Sequence, residues 1–216
     1  MTTMQTPQHQ RPLTRTEWVD EQLRESILCG RRRPGEKLVL SSLATELGIS
    51  ASPIREALAR LTMHGLIDLT PHGTATVAGI SVGEAIDVYQ LRCLIEPRAL
   101  AAAISAATDV DRQRWVEAFD LLGSGPEPID NLRHHARFHR TLVSSCPSRW
   151  TLRIVIPLQD NALRIVAATS RQLPNDYDVA RDHRRLLELA LAGDAEGAAA
   201  ELTEHLARTV HVLRDD

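Results

Sequence analysis

From Val82 onward the apolar residues return every three or four positions, and the pattern breaks at Gly123-Ser124-Gly125-Pro126, Cys146-Pro147 and Leu173-Pro174-Asn175. That spacing predicts six helices, at about 82–106, 109–122, 130–145, 148–170, 177–192 and 194–213. Aromatic residues make up 3% of the chain, and Ala, Leu, Ile and Val dominate its apolar set. Such a composition favours helix-on-helix packing over a β-sandwich. With 216 residues there is room for one large domain or two small ones, each with a real core.

The first eighty residues follow a different plan. Met1 to Pro12 are polar, and this stretch is expected to be a disordered tail with no export signal. Val19, Leu23, Ile27 and Leu28 then predict a helix capped by Thr16 and ended by Gly30. A basic turn, Arg31-Arg32-Arg33-Pro34-Gly35, leads to a short helix capped by Ser41 or Ser42, with Leu43, Ala44 and Leu47 inward and Gly48 as its stop. A third helix is expected from near Ser52 with Pro53 at its first position. Its apolar stripe of Ile54, Ala57, Leu58 and Leu61 leaves Arg55 and the Ser50–Ser52 entry facing outward. After Gly65, Leu66 to Thr70 and Thr74 to Val77 read as two strands about Pro71-His72-Gly73.

Two helices joined by Gly48-Ile49-Ser50 also suit a plain corner in a bundle. A corner has no use for a two-stranded ribbon, whereas a winged helix uses one to reach the minor groove or phosphates of DNA. The expected fold is therefore mainly α: a winged helix-turn-helix over residues 13–78, a linker at 79–81, and an all-helical bundle of about six helices over 82–216.

The net charge is −3, but it divides unevenly: residues 1–80 carry nine Lys/Arg against eight Asp/Glu, and residues 81–216 carry sixteen against twenty. A DNA reader needs a basic face and not a basic total, so double-stranded DNA remains a fitting partner. No apolar run approaches the roughly 18 residues of a membrane span. Cys29, Cys93 and Cys146 are odd in number and far apart, which suggests neither a disulfide framework nor a thiolate metal site and fits a reducing cytoplasm.

The stretches Pro34-Gly35-Glu36-Lys37-Leu38, Leu43-Ala44, Leu47-Gly48-Ile49-Ser50, Ser52-Pro53-Ile54-Arg55-Glu56-Ala57-Leu58, Leu61, Gly65-Leu66-Ile67 and His72-Gly73 resemble the winged helix-turn-helix of GntR-type bacterial transcription regulators. The resemblance implies that Ser50, Ser52, Pro53 and Arg55 occupy DNA-contact positions, with His72 and Gly73 at the wing tip. Helix N-terminal amides and small hydroxyls suit phosphates, and an Arg can pair bidentately with guanine. Two positions depart from the family, which often has Arg where this chain has Ala51, and in some members where it has Ser41. Each missing Arg removes a contact worth about 1–3 kcal/mol if base-specific. Arg31, Arg32 and Arg33 are candidates to supply phosphate contacts instead.

Four of the nine histidines fall on apolar faces of the predicted helices. His135 and His139 lie one turn apart, His183 accompanies Leu186 and Leu187, and His205 accompanies Leu202 and Leu206. One inward His is usually a satisfied core residue, but four on three helices suggest a shared centre. An imidazole set suits Zn²⁺, Ni²⁺ or a similar divalent ion. His135-Ala136-Arg137-Phe138-His139-Arg140, Asp182-His183-Arg184-Arg185-Leu186-Leu187 and Glu204-His205-Leu206 resemble the FadR C-terminal-type (FCD) domain of one GntR branch. Many members bind a metal there through an Asp and three His. His139, His183 and His205 match the three His, and His135 stands where the Asp usually is, keeping a ligand but removing a charge. Six helices suggest the shorter, VanR-like subgroup.

The resemblance also implies a small organic acid near the metal. Arg92 matches a family position that faces the cavity, although Arg92 and Glu96 also suit an intrahelical pair on a solvated face. Asn161 and Arg164 are further effector-binding candidates. The expectation is a homodimeric, cytoplasmic, ligand-responsive regulator of a short pseudo-palindromic operator. A metal-ion sensor and a metal-dependent hydrolase are alternatives, the latter without a general base fixed by motif.

Overall fold

The computed structural model describes residues 12–70, 73–125, 128–169 and 179–215. The expected tail, apart from Pro12, and His72 at the wing tip lie outside the described residues. The chain is mainly α, with a winged helix-turn-helix followed by a helical domain of six helices among the described residues.

Helix α1 (Arg15–Leu28) is capped by Thr14 and not Thr16. The reason is local: Glu17 lies three residues beyond Thr14, and the two exchange hydrogen bonds, Glu17 N to Thr14 Oγ1 at 3.2 Å and Thr14 N to the Glu17 carboxylate at 2.8 Å. Neither Ser41 nor Ser42 caps helix α2 (Leu40–Leu47); Val39 takes that place without a side-chain bond, because strand β1 (Lys37–Leu38) feeds straight into the helix. Gly48 closes α2 in the left-handed region, at φ +64°, and so makes the turn of the motif. Helix α3 (Ala51–Met63) starts two residues before Pro53. Pro53 still lies in the first turn, where its missing N–H costs nothing.

Strands β2 (Ile67–Leu69) and β3 (Ala75–Val77) form the expected hairpin, and β1 adds a third strand in the order β1-β3-β2. All pairings are antiparallel, with Leu38 opposite Ala75 and Ile67 opposite Val77. Strand β1 went unpredicted because two residues carry no period-two signal. Val19, Leu23 and Ile27 of α1, Leu43 of α2, Ile54, Leu58 and Leu61 of α3, and Leu66, Ile67 and Val77 make one core.

The second domain comprises α4 (Val82–Ala106), α5 (Asp109–Asp120), α6 (Pro128–Val143), α7 (Arg149–Thr169), α8 (Val179–Ala192) and α9 (Ala195–Asp215). Helix α4 runs through the middle, packed against α6, α7 and α9. Its core gathers Tyr89, Leu100, Trp115, Phe138, Leu142, Val155, Ile165, Leu186 and Leu202. Buried Trp115 donates its indole N–H to the Thr141 carbonyl at 3.1 Å, satisfying the polar end of the largest core side chain. The two domains share apolar contact: Leu163 of α7 is buried in the first core, and Leu132 and Ala136 of α6 pack against it. Among the described residues no helix is long and apolar enough to cross a membrane.

Candidate nucleic-acid interface and metal centre

Burying Ile54, Ala57, Leu58 and Leu61 turns the opposite face of α3 outward, and Ser52, Arg55 and Arg60 are exposed there. Ser50 caps the helix with extended backbone, and its hydroxyl makes no cap hydrogen bond. Ala51 begins the helix, Ser41 is exposed on α2, and Gly73 forms its side of the wing turn at φ +76°. Arg31 and Arg33 are exposed, but Arg32 is not free: it binds Glu36 at 2.9 Å and Glu46 at 2.6 Å. Arg32 thereby braces the basic turn against α2.

Helix α6 places His135 and His139 on one face because they stand four residues apart, and α8 and α9 bring His183 and His205 to meet them. One nitrogen from each ring lies within 4.8 Å of the others. His139 Nε2 is 3.2 Å from His135 Nε2 and 3.0 Å from His183 Nε2. Nitrogens about 2.0–2.1 Å from a zinc ion stand about 3.3 Å apart in a tetrahedron, so a metal fits this donor set with small adjustments. Burial holds His135, His139 and His205 well below the usual imidazole range, with the neighbouring histidines and Arg92 pushing the same way. The three are thus neutral at ordinary pH, the form in which imidazole offers a lone pair. Behind His205, Asp182 Oδ2 stands 3.5 Å from Nδ1 and also receives Arg208. This carboxylate, next in sequence to His183, suits the orienting role that ligand histidines need.

Arg92 lines a cavity with Tyr89, His135, His139 and Gln159. It does pair with Glu96, at 2.5 Å, but the pair is buried and not on a solvated face, with Arg92 4% and Glu96 0% exposed. Gln159 Nε2 donates to the same carboxylate at 3.3 Å.

Asn161 and Arg164, expected at the effector, instead join the two domains. Asn161 donates to the His64 carbonyl at 2.8 Å, and Arg164 donates to the carbonyls of Ala78 at 2.8 Å and Gly79 at 2.5 Å. Beside them Asp160, fully buried, receives Arg24 of α1 and Arg140 of α6. A second tie from α6, Arg133, reaches Glu25 of α1. The available signal for this junction was the run Gln159-Asp160-Asn161, three polar residues interrupting an apolar helix.

A winged helix with an outward Arg-bearing helix, joined to a helical domain with a buried nitrogen-rich centre, is the architecture of a DNA-binding regulator. Comparison with known proteins makes this specific. Residues 15–77 match the bacterial regulatory proteins of the gntR family, and residues 87–208 match the FCD domain. The chain belongs to the GntR family of transcription regulators, in the FadR subfamily that carries an FCD domain. It is 25% identical over 204 residues to the HTH-type transcriptional repressor GlaR of Escherichia coli K12, covering 89% of this chain and 92% of that one. It is 29% identical over 201 residues to the probable D-xylose utilization operon transcriptional repressor of Paenarthrobacter nicotinovorans, covering 90% and 88%. The solved structure of E. coli McbR/YncC superposes with a TM-score of 0.81 at 20% identity, covering 94% of this chain and 99% of that one, a likeness of fold. The curated relatives are transcription regulators and not enzymes, and the function of this chain is DNA-binding transcription regulation.

Proposed function

We propose that this regulator binds a short pseudo-palindromic operator as a homodimer and responds to a small carboxylic acid in a pocket built on a metal-loaded four-His centre. The observation that carries the reading is the convergence of His135, His139, His183 and His205 beside buried Arg92. These histidines would hold the ion, zinc or nickel by donor type. A bound divalent ion supplies positive charge that attracts a carboxylate, and Arg92 adds to it. Contacts to DNA fall to Ser50, Ser52, Pro53 and Arg55, with Arg31 and Arg33 on phosphates. Six helices in the second domain favour placement in the VanR-like subgroup, and the subcellular setting that goes with DNA binding is the cytoplasm.

The dimer reading is supported by apolar side chains on α4 and α7 that face solvent in the single chain, including Leu94 at 71% and Trp150 at 72% exposure. Helix α6 offers a route for the signal. It carries His135 and His139, and it also holds the winged domain through Arg133–Glu25 and the Arg140–Asp160–Arg24 node. A ligand that shifts α6 would alter the seat of α1, with a coupling of about 1–3 kcal/mol.

Sensing of the ion itself is a second reading, favoured by the cavity volume of about 20 Å³, room for one water. Operator affinity of metal-depleted full-length protein, followed through titration with zinc or nickel and then with simple carboxylates, tests both. Carboxylate-dependent affinity is the expected result. A response to metal with none to any acid would establish ion sensing, and no response to either would sink the regulatory role of the centre.

A further inference from the structure

Gln159 is 4% exposed and lines the cavity shared by Arg92, His135 and His139. Its amide is oriented by chemistry: a carboxylate only accepts, so the nitrogen faces Glu96 and the oxygen is turned away from it. That oxygen, Oε1, is buried and finds no donor among the described residues. An acceptor left in this condition is destabilising, so the site favours a partner bearing an O–H or N–H.

Charge narrows the class. Imidazole ligands bring no charge against a divalent cation, and the ions around them pair off, buried Arg92 with Glu96 and half-buried Arg208 with Asp182. A cation in the centre therefore requires an incoming anion. An ammonium group would answer Gln159 but would add positive charge beside Arg92 and the ion. A hydroxyl donates without that cost.

We infer that Gln159 is the specificity-determining residue of the effector pocket, and that the effector is a hydroxycarboxylate whose carboxylate is held at the four-His centre and Arg92 while its hydroxyl donates to Gln159 Oε1. The inference rests on the carboxylate reading above. Because the cavity of about 20 Å³ admits one water, entry of such a molecule displaces Leu132, Leu163 and Val166, which line it from α6 and α7. Those are the helices that hold the winged domain, so occupancy and domain placement are linked.

The test is calorimetric titration of zinc-loaded, full-length protein with matched acids: glycolate against acetate, lactate against propionate, malate against succinate, and alanine beside lactate. The hydroxylated member of each pair is expected to bind roughly 10-fold tighter or more, and alanine weaker than lactate. In Gln159→Met the ratio of lactate to propionate affinity should fall to about one, and that ratio is the quantity read, since loss of the amide also removes its bond to Glu96. Equal affinities within every pair, a hydroxyl preference that survives Gln159→Met, or alanine binding tighter than lactate would each overturn this inference and leave the carboxylate reading in place. Failure of every acid to bind would overturn both. The wild-type comparison decides the matter without a variant, should Gln159→Met fold poorly.

Discussion

His139 has two imidazole neighbours within 3.2 Å, and Phe138 packs edge-on against both His139 and His183. Excluding water from these rings has a cost that pH reveals. His135, His139 and His205 are pushed well below their ordinary value of 6.5 by burial first and by neighbouring charge second. Above that pH the imidazoles are neutral folded or unfolded, and stability is unaffected. As pH falls through 6.5 the unfolded chain takes up protons that the folded chain refuses. Each such His then removes up to about 1.4 kcal/mol of stability per pH unit. The Tm of metal-free protein, read by calorimetry, should be level above neutrality and drop steeply toward about pH 5. His139→Leu should flatten the drop, and a Tm indifferent to pH would contradict the buried, neutral cluster. The four histidines were legible as inward-facing from their helical spacing. Asp182 behind His205, and Gln159 with its orphaned oxygen, were not, because a polar residue's burial depends on which helix comes to cover it.

Helix α3 owes its exposed face to the stripe Ile54, Ala57, Leu58 and Leu61, so Arg55 projects outward by periodicity alone. Arg55→Ala is expected to lower operator affinity by roughly 5- to 100-fold, the equivalent of about 1–3 kcal/mol, in a gel-shift titration. Unchanged affinity would remove α3 from the interface. In the basic turn, Arg31→Ala and Arg33→Ala should each reduce the salt dependence of binding by about one unit of slope, whereas Arg32→Ala should leave the slope alone, its guanidinium being held by Glu36 and Glu46. Helix positions were well anticipated, since spacing sets them. Their first residues were less so: Thr14 displaced Thr16 through a reciprocal bond with Glu17, and a strand entering α2 displaced a serine cap.

The two domains meet along α7, where one stretch of helix serves both sides: Gln159 faces the cavity, while Asp160, Asn161 and Arg164 bind the winged domain. Asp160 is fully buried between Arg24 and Arg140, and Arg140 retains 41% exposure. Arg140→Ala therefore leaves the Arg24–Asp160 pair intact. It is expected to preserve ligand-free operator affinity within a few-fold while weakening the change that ligand produces; a full response would place the coupling elsewhere. Leu94→Asp on the exposed apolar face of α4 should shift sedimentation from dimer to monomer, and a wild-type monomer would overturn the dimer reading. Repeating apolar spacing, capping residues and Gly turns are local, so the order of helices, the winged helix and the inward histidines could be read along the chain. Convergence of His135, His139, His183 and His205, burial of the Arg92–Glu96 pair, and the turning of Asn161 and Arg164 toward the winged domain depend on contacts between residues far apart in sequence. Those contacts exist only once α4, α6, α7, α8 and α9 have packed together, because packing alone determines which side chains lose water and which partners replace it.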